Sequence, residues 1–329
     1  MTSSSDFQKA IELVKKSERV LITTHLKPDG DACGSIAALC ELLNSLGKKV
    51  RPLVLSPVPQ WYAFLFAEKV TVLDEDVRLE DLRAERFDLI IIVDTNSTSQ
   101  LPQFDEYLKQ SDAPVLVIDH HETSDGLGDV ELNDRSAAAA GLIVFELLRH
   151  AGWAVTESIA RALFVAIATD TGWFQFSNTN SRTLGACAEL IDAGARPMDI
   201  YANLYQNFSH ARFRLMVVML SSLELHLDGR YAAMQLTQRD FQQTGAALGD
   251  TESLINECHR IGTVKASALF IEFKDGRIRC SLRSRGGLDV SQIALKFGGG
   301  GHTMSAGTFL PGPLENAREL VLKEMQTRL

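Results

Sequence analysis

The chain lacks any long apolar run. Nothing in its 329 residues approaches the ~18 consecutive apolar positions of a membrane-spanning helix, and the opening MTSSSDFQKA has neither the positive flank nor the apolar core of a secretory signal. A soluble, cytoplasmic protein is therefore expected, with no membrane partner. A basic surplus is missing too: 33 Lys and Arg face 42 Asp and Glu, for a formal charge of −9. That balance argues against a broad phosphate-neutralising face for long duplex nucleic acid, and leaves room for a small anionic ligand where basic residues cluster. Cysteine is scarce. Cys33, Cys40, Cys187, Cys258 and Cys280 show neither CxxC nor zinc-ribbon spacing and read as reduced, mostly buried thiols. No internal repeat is present, and no low-complexity stretch beyond the run from Ala137 to Ala140.

What the sequence does contain is enough apolar material, 45% of residues, to bury a substantial core, and enough length for two globular units. The first half reads as α/β. A helix pattern from about Asp6 to Ser17 leads into a strand at Val20 to Thr24, then into a helix whose apolar positions Ile36, Leu39, Cys40 and Leu43 fall at i, i+3, i+4, i+7. Continuous Val- and Ile-rich runs at Val50 to Leu55, Leu89 to Val93 and Val115 to Ile118 suit strands of a parallel sheet buried on both faces. Helix patterns follow at Ala137 to Leu148, Ser158 to Thr169 and Thr183 to Ala193, the last stopped by Gly194 and Pro197. After a helical connection come alternating runs punctuated by Asp228-Gly229 and Asp275-Gly276, which predict hairpins in a smaller α+β unit. The expected boundaries are 1–195 for the catalytic unit, 196–222 for a helical linker and 223–329 for a substrate-binding unit.

In a parallel sheet, ligands gather beyond the carboxyl ends of the strands. The residues there are one-sided in chemistry: His25, Asp29 and Asp31 after the first strand, Asp94 after Leu89 to Val93, Asp119, His120 and His121 after Val115 to Ile118, and Asp170 at the end of an apolar helix. Any one of these acids alone reads as a turn former or cap. Together they would repel one another and raise their pKa values unless cations sat among them. The spacing suits two ions. His25 and Asp29 fold onto one across the Pro28-Gly30 turn, Asp31 and His120 serve the other, and Asp94 and Asp170 bridge. Imidazole and carboxylate without thiolate favour manganese, with magnesium, iron or cobalt as alternatives and structural zinc disfavoured. Two such ions about 3.5 to 4 Å apart stabilise the attacking and leaving oxygens of an in-line displacement at phosphorus, so phosphoester hydrolysis is the expected reaction.

A second feature is KFGGGGHTMSAG, Lys296 to Gly307. Four consecutive glycines are unfavourable in conformational entropy, and successive backbone N–H groups in such a loop cradle an anion. Arg283, Arg285, Lys296 and His302 add local positive charge, which makes Gly299, Gly300, Gly301, His302, Arg283 and Arg285 the candidate substrate-phosphate contacts. Trp173, Phe174 and Phe176 follow Asp170 and have the chemistry to stack on a base, although core packing is the stronger expectation for at least two of them. His150, His210, His226 and His259 show no partner in the sequence.

The HxxPDGDAxGS element at His25 to Ser35, VDT at Val93 to Thr95, DHH at Asp119 to His121 and TDTG at Thr169 to Gly172 resemble, in order and spacing, the four motifs of the DHH phosphoesterase superfamily. CSLRSRG at Cys280 to Gly286, followed by GGGGH, resembles the DHH-associated domain. The resemblance covers nearly the whole chain and is greatest to the oligoribonuclease and 3′-phosphoadenosine 5′-phosphate phosphatase branch, the nanoRNases. It implies the ligand roles above, with His121 at the substrate phosphate rather than on metal and with Asp94 and Asp170 in the catalytic set. It implies a second lobe that grips the nucleotide, and it allows a homodimer. Two stretches depart from the family pattern: GHTMSAG carries no basic residue after GH, and AAAAG at Ala137 to Gly141 lacks the usual hydroxyl and acid groups. The expected activity is manganese-dependent hydrolysis of very short RNA to mononucleotides, with 3′-phosphoadenosine 5′-phosphate as a further substrate. A cyclic or linear dinucleotide phosphodiesterase is the alternative, and a non-catalytic nucleotide sensor a more distant one.

Overall fold

Alternate residues of the predicted strands face opposite ways, and both faces are covered. The computed structural model describes residues 3–329, the side chain of His302 excepted. The chain divides into a first unit that ends at Gln206 and a second that runs Asn207–Leu329. In chain order the first holds α1 (Ser4–Lys16), β1 (Arg19–Thr24), α2 (Gly30–Ser45), β2 (Lys49–Val54), β3 (Thr71–Val72), α3 (Leu79–Glu85), β4 (Leu89–Val93), α4 (Phe104–Gln110), β5 (Val115–Asp119), β6 (Val130–Asn133), α5 (Ala140–Ala151), α6 (Glu157–Asp170), α7 (Ser181–Asp192) and α8 (Pro197–Tyr205). The strands form one parallel sheet in the order β3-β2-β1-β4-β5-β6. Val20, Ile22, Ile91, Leu116 and Ile118 pack on one side with residues of α1, α2, α5 and α6. Leu21, Ile90, Ile92 and Val117 pack on the other with Leu82, Phe104 and Tyr107. Burial on both sides is why these runs are apolar throughout instead of alternating.

Two local features set the geometry of the sheet's carboxyl edge. First, α2 and α6 touch through small residues: a Cβ added at Gly34 would lie 2.4 Å from the Ala162 carbonyl oxygen, and one at Gly30 would lie 2.3 Å from Thr169 Oγ1. Gly30 and Gly34 share a helix face, as do Ala162, Ala166 and Thr169, so the seam brings Asp31 on α2 close to Asp170, the last residue of α6. Second, α5 begins at Ala140, where the sequence pattern predicts a helix from Ala137. The correction has a physical cause. Ala139 is extended (φ −164°, ψ 154°) and offers no side-chain cap. The cap comes instead from α2, where the Asp31 carboxylate accepts the N–H groups of Ala140 (2.5 Å) and Gly141 (2.8 Å).

Next to that helix, the Arg182 guanidinium clamps both oxygens of Glu146 (2.6 Å each) and Oδ2 of the buried Asp134 (2.8 Å). Burial pushes the Asp134 carboxyl up, but Ser136 and Arg182 outweigh it and hold the pKa down at about 2. A depressed folded-state pKa contributes stability above the unfolded value of about 3.9 that is lost as pH falls towards 2. The excess stability of wild type over Asp134→Asn is therefore expected to be full at pH 7 and to shrink between about pH 4 and pH 2. Urea titrations across that range check it, and a pH-independent difference contradicts it.

The second unit holds α9 (His210–Ser221), β7 (Glu224–His226), β8 (Tyr231–Leu236), α10 (Gln238–Thr244), β9 (Ala266–Glu272), β10 (Arg277–Ser284), α11 (Ser291–Lys296), β11 (Gly300–His302), β12 (Ser305–Pro311) and α12 (Leu314–Gln326). Its sheet runs β11-β12-β10-β9-β8-β7, with β8 parallel to β9 and the other pairs antiparallel. The β7–β8 and β9–β10 pairs are the hairpins expected at Asp228-Gly229 and Asp275-Gly276. Among the described residues, no helix is long and apolar enough to cross a membrane.

Candidate metal centre and anion patch

Each acidic or imidazole group is placed by the end of a regular element. Leaving β1, the chain turns so that His25 Nδ1 meets the Leu26 carbonyl oxygen at 3.0 Å. A carbonyl oxygen only accepts, so Nδ1 is the donor there and Nε2 is the nitrogen left for the cluster, as a metal ligand requires. Asp29 caps α2, accepting from the N–H groups of Asp31 (3.0 Å) and Ala32 (3.1 Å). Asp94 follows β4 in the left-handed region, φ 60°, and is 2% exposed.

These groups converge. His25 Nε2 lies 3.4 Å from Asp94 Oδ2 and 3.9 Å from Asp29 Oδ1. His120 Nε2 lies 3.4 Å from Asp94 Oδ1 and 3.7 Å from both Asp31 Oδ2 and Asp170 Oδ2. Two ligand sets result, His25–Asp29–Asp94 and Asp31–His120–Asp170, each with its donor atoms within 4.8 Å of one another. Asp94 also approaches both imidazoles, so it stands between the sets. Its Oδ1 is buried with no hydrogen-bond partner among the described residues. A buried carboxylate oxygen without a donor is unfavourable unless a cation completes it. The donor set and this orphaned oxygen both fit a divalent metal.

The charge pattern without a cation shows the same demand. Burial, then repulsion from Asp94 and Asp170, drives the Asp31 carboxyl well above the carboxylate range. Burial raises Asp170 to about 6, with His120 opposing and Asp94 adding to the rise. Burial disfavours the imidazolium of His25 and of His120, yet the surrounding aspartates outweigh it and lift them to about 9 and about 10. The cluster holds protons where it has no cations, and ions that bind here must displace them.

His121 lies beside these ligands, its Nδ1 3.7 Å from Asp94 Oδ1, but has a nearer partner. A third grouping of Asp94, His120 and His121 has suitable spacing, but His121 Nδ1 is already engaged with Asp119 Oδ1 at 2.8 Å. Asp119 Oδ1 also accepts the N–H of His120 (2.8 Å) and of His121 (3.3 Å). The side-chain hydrogen bond, against the opposing effect of burial, raises the His121 pKa. The ring is half exposed and presents Nε2 away from Asp119. Sequence reasoning places Asp119 among the strand-end acids and gives it no role. Its position as the buried last residue of an apolar strand, immediately before two histidines, was the available signal.

In the second unit Arg283 and Arg285 do fall together, and with them a residue the sequence left unassigned. His259 Nε2 pairs with Ser267 Oγ at 2.8 Å, and its carbonyl oxygen accepts from Arg285 at 3.2 Å. Burial, then the positive charge of Arg285 and Arg283, lowers the His259 pKa, so it is neutral at pH 7. The glycine run requires a correction. It is not an open loop: Gly300, Gly301 and His302 pair with Gly307, Ala306 and Ser305 of β12. A Cβ at Gly299 would lie 2.2 Å from the Gly307 carbonyl oxygen, and one at Gly301 2.5 Å from the Ser305 carbonyl oxygen. Close strand approach therefore demands glycine at these two positions independently of any anion. The His302 side chain lies outside the described part.

Residues 19–167 match the model of the DHH family N-terminal domain, and residues 228–329 that of the DHHA1 domain. The bifunctional oligoribonuclease and PAP phosphatase NrnA of Thermus thermophilus is 31% identical over 317 residues, spanning 94% of this chain and 90% of the relative. The chain belongs to the DHH family. Among solved structures, an exopolyphosphatase-related protein from Bacteroides fragilis has the same fold, with a TM-score of 0.91 at 24% identity over 99% of this chain and 97% of that one. RecJ from Thermus thermophilus in complex with Mn2+ has a TM-score of 0.54 at 14% identity, over 99% of this chain and 55% of that one.

Proposed function

We propose that this chain is a metal-dependent phosphodiesterase that hydrolyses very short RNA to mononucleotides and also removes a phosphate from 3′-phosphoadenosine 5′-phosphate. The observation that carries the chemistry is the pair of ligand sets flanking Asp94, whose buried Oδ1 has no hydrogen-bond partner among the described residues. The substrate class is supported by the name of the Thermus relative, similar over nearly the full length of both chains. In this reading His25 and Asp29 would hold one ion and Asp31 and His120 the other, with Asp94, which stands between the sets, and Asp170, which lies in the second, as the carboxylates to be shared. A divalent pair bound there would supply an activated water and a counter-charge for the phosphoryl oxygens, and manganese suits the donor set. His121, steadied by Asp119, donates from Nε2 to a phosphoryl or leaving oxygen as negative charge grows there. Within the second unit, Arg283 and Arg285 supply positive charge, and the Gly299–Gly301 segment N–H donors, of the kind that suits a phosphate. The net acidity of the chain suits a substrate with few phosphates.

The test is nucleotide release by the purified protein with Mn2+ from RNA of graded length, alongside 3′-phosphoadenosine 5′-phosphate and a cyclic dinucleotide. Turnover is expected to be fastest on the shortest linear RNAs and to vanish on addition of a chelator. Activity indifferent to chelation refutes the metal roles, and preference for the cyclic dinucleotide refutes the substrate choice.

A further inference from the structure

The segment after Asp170 holds an exposed phenyl ring against the backbone of the metal-site motif. Gly172, two residues beyond Asp170, has φ 55°, and Trp173 and Phe174 stay in the left-handed region at 59° and 66°. Bulky residues are strained in that conformation and persist in it only where the surroundings fix them. Here they do. The Thr171 hydroxyl donates to the Ile167 carbonyl (2.7 Å), the Thr171 carbonyl accepts the N–H groups of Gln175 (2.9 Å) and Phe176 (3.0 Å), and Asn178 Nδ2 donates to the carbonyls of Ala138 (3.1 Å) and Asp170 (3.2 Å).

Of the three aromatic residues in the segment, two serve the core. Trp173 and Phe174 pack edge-on against Phe164, with centroids at 6.1 and 5.9 Å. Phe176 does not. It is 59% exposed, and its ring lies across Gly172 so closely that a Cβ there would sit 2.4 Å from Cζ. Leaving a phenyl ring in water forgoes the gain of burying it, and here two strained residues and a glycine at φ 55° precede it in the segment that holds it in place. A rigid, flat, apolar surface beside the motif that carries Asp170 matches a flat partner with a π-face, and the purine or pyrimidine of a nucleotide is such a partner.

We propose that Phe176 is a nucleobase platform: its exposed face stacks on the base of the nucleotide whose phosphate meets the Asp94 cluster. This rests on the nucleotide phosphodiesterase reading and adds a specificity contact to it. Stacking is indifferent to base identity, so the contact selects for the presence of a base and not for a sequence.

The test compares binding of AMP and of ribose 5-phosphate, which carries an anomeric hydroxyl where AMP carries the base, by calorimetry on the Mn2+-loaded wild type, Phe176→Ala and Phe176→Tyr. Wild type is expected to bind AMP more tightly than ribose 5-phosphate. Phe176→Ala should weaken AMP about 5- to 100-fold and leave ribose 5-phosphate unchanged, and Phe176→Tyr should restore AMP binding. Equal AMP affinity in wild type and Phe176→Ala overturns the assignment, as does an equal loss for both ligands. Because the readout is binding, it separates from the reading beneath it: a wild type that discriminates AMP through Phe176 yet fails to cleave short RNA sinks the phosphodiesterase proposal and leaves the platform standing.

Discussion

Asp94→Asn is expected to lower phosphoester turnover by about a thousandfold or more, a loss on the scale of removing a principal electrostatic contact to the transition state. It is also expected to abolish the thermal stabilisation that Mn2+ gives the wild type. Asparagine is a cleaner replacement than alanine, because Asp94 sits at φ 60° and asparagine tolerates that region where alanine is strained. The metal-free fold should survive. Asp94 raises the carboxyl pKa values of Asp29, Asp31 and Asp170 by repulsion and holds the His25 and His120 imidazoliums in place by attraction, so its removal has opposing effects on stability. A ligand present at a hundred times its Kd stabilises a fold by about 2.7 kcal/mol, and that increment is what the variant loses. Melting curves with and without Mn2+, with turnover in parallel, check the prediction. A variant that keeps its Mn2+ response contradicts the placement of Asp94 between the ligand sets.

The second large effect is expected at a residue that holds no ligand itself. Gly34→Ala would gain about 1 kcal/mol of helix propensity if nothing opposed it. The new methyl group, however, would sit 2.4 Å from the Ala162 carbonyl oxygen and 2.9 Å from the Ala166 nitrogen, both backbone atoms that no rotamer change can move. Because the clash is with backbone, separating α2 from α6 to admit it costs about 2 to 3 kcal/mol, which outweighs the propensity gain by about 1 to 2 kcal/mol and lowers Tm by about 2 to 8 °C for a unit of this size. The same displacement carries Asp170, at the end of α6, away from Asp31 on α2. A shift of about 1 Å in a catalytic group is enough for a hundredfold loss of activity. Wild-type Tm and turnover in Gly34→Ala would show that the seam does not set the site.

Much of this was legible in the sequence because it was written in period and punctuation. The runs at Val20, Leu89 and Val115 became β1, β4 and β5 because strands buried on both faces must be apolar throughout, and the acids that follow them lie where a parallel sheet puts its ligands. Other features left no such mark. β3 has two residues and β6 is a half-buried VELN, both too short for a period to emerge. The α5 boundary depends on a carboxylate more than a hundred residues away, and local pattern cannot report a cap supplied by another helix. The glycine run reads as an anion cradle because entropy asks for a reason, and the reason visible in the fold at Gly299 and Gly301 is contact with β12. The aromatic residues after Asp170 divide between core and surface only once backbone angles are known, since three rings in four positions have no helical or strand period.

Asp31 occupies two posts. One carboxylate closes the buried N-terminal end of α5 through both of its oxygens, and the same side chain stands 3.7 Å from His120 Nε2 in the ligand cluster. Genetic screens at this codon will therefore return inactive proteins whose defect has no single origin, scaffold and chemistry failing together. Alleles of Asp94, which caps no helix, are the informative ones for separating catalysis from architecture, whereas Asp29, the cap of α2, shares the difficulty of Asp31.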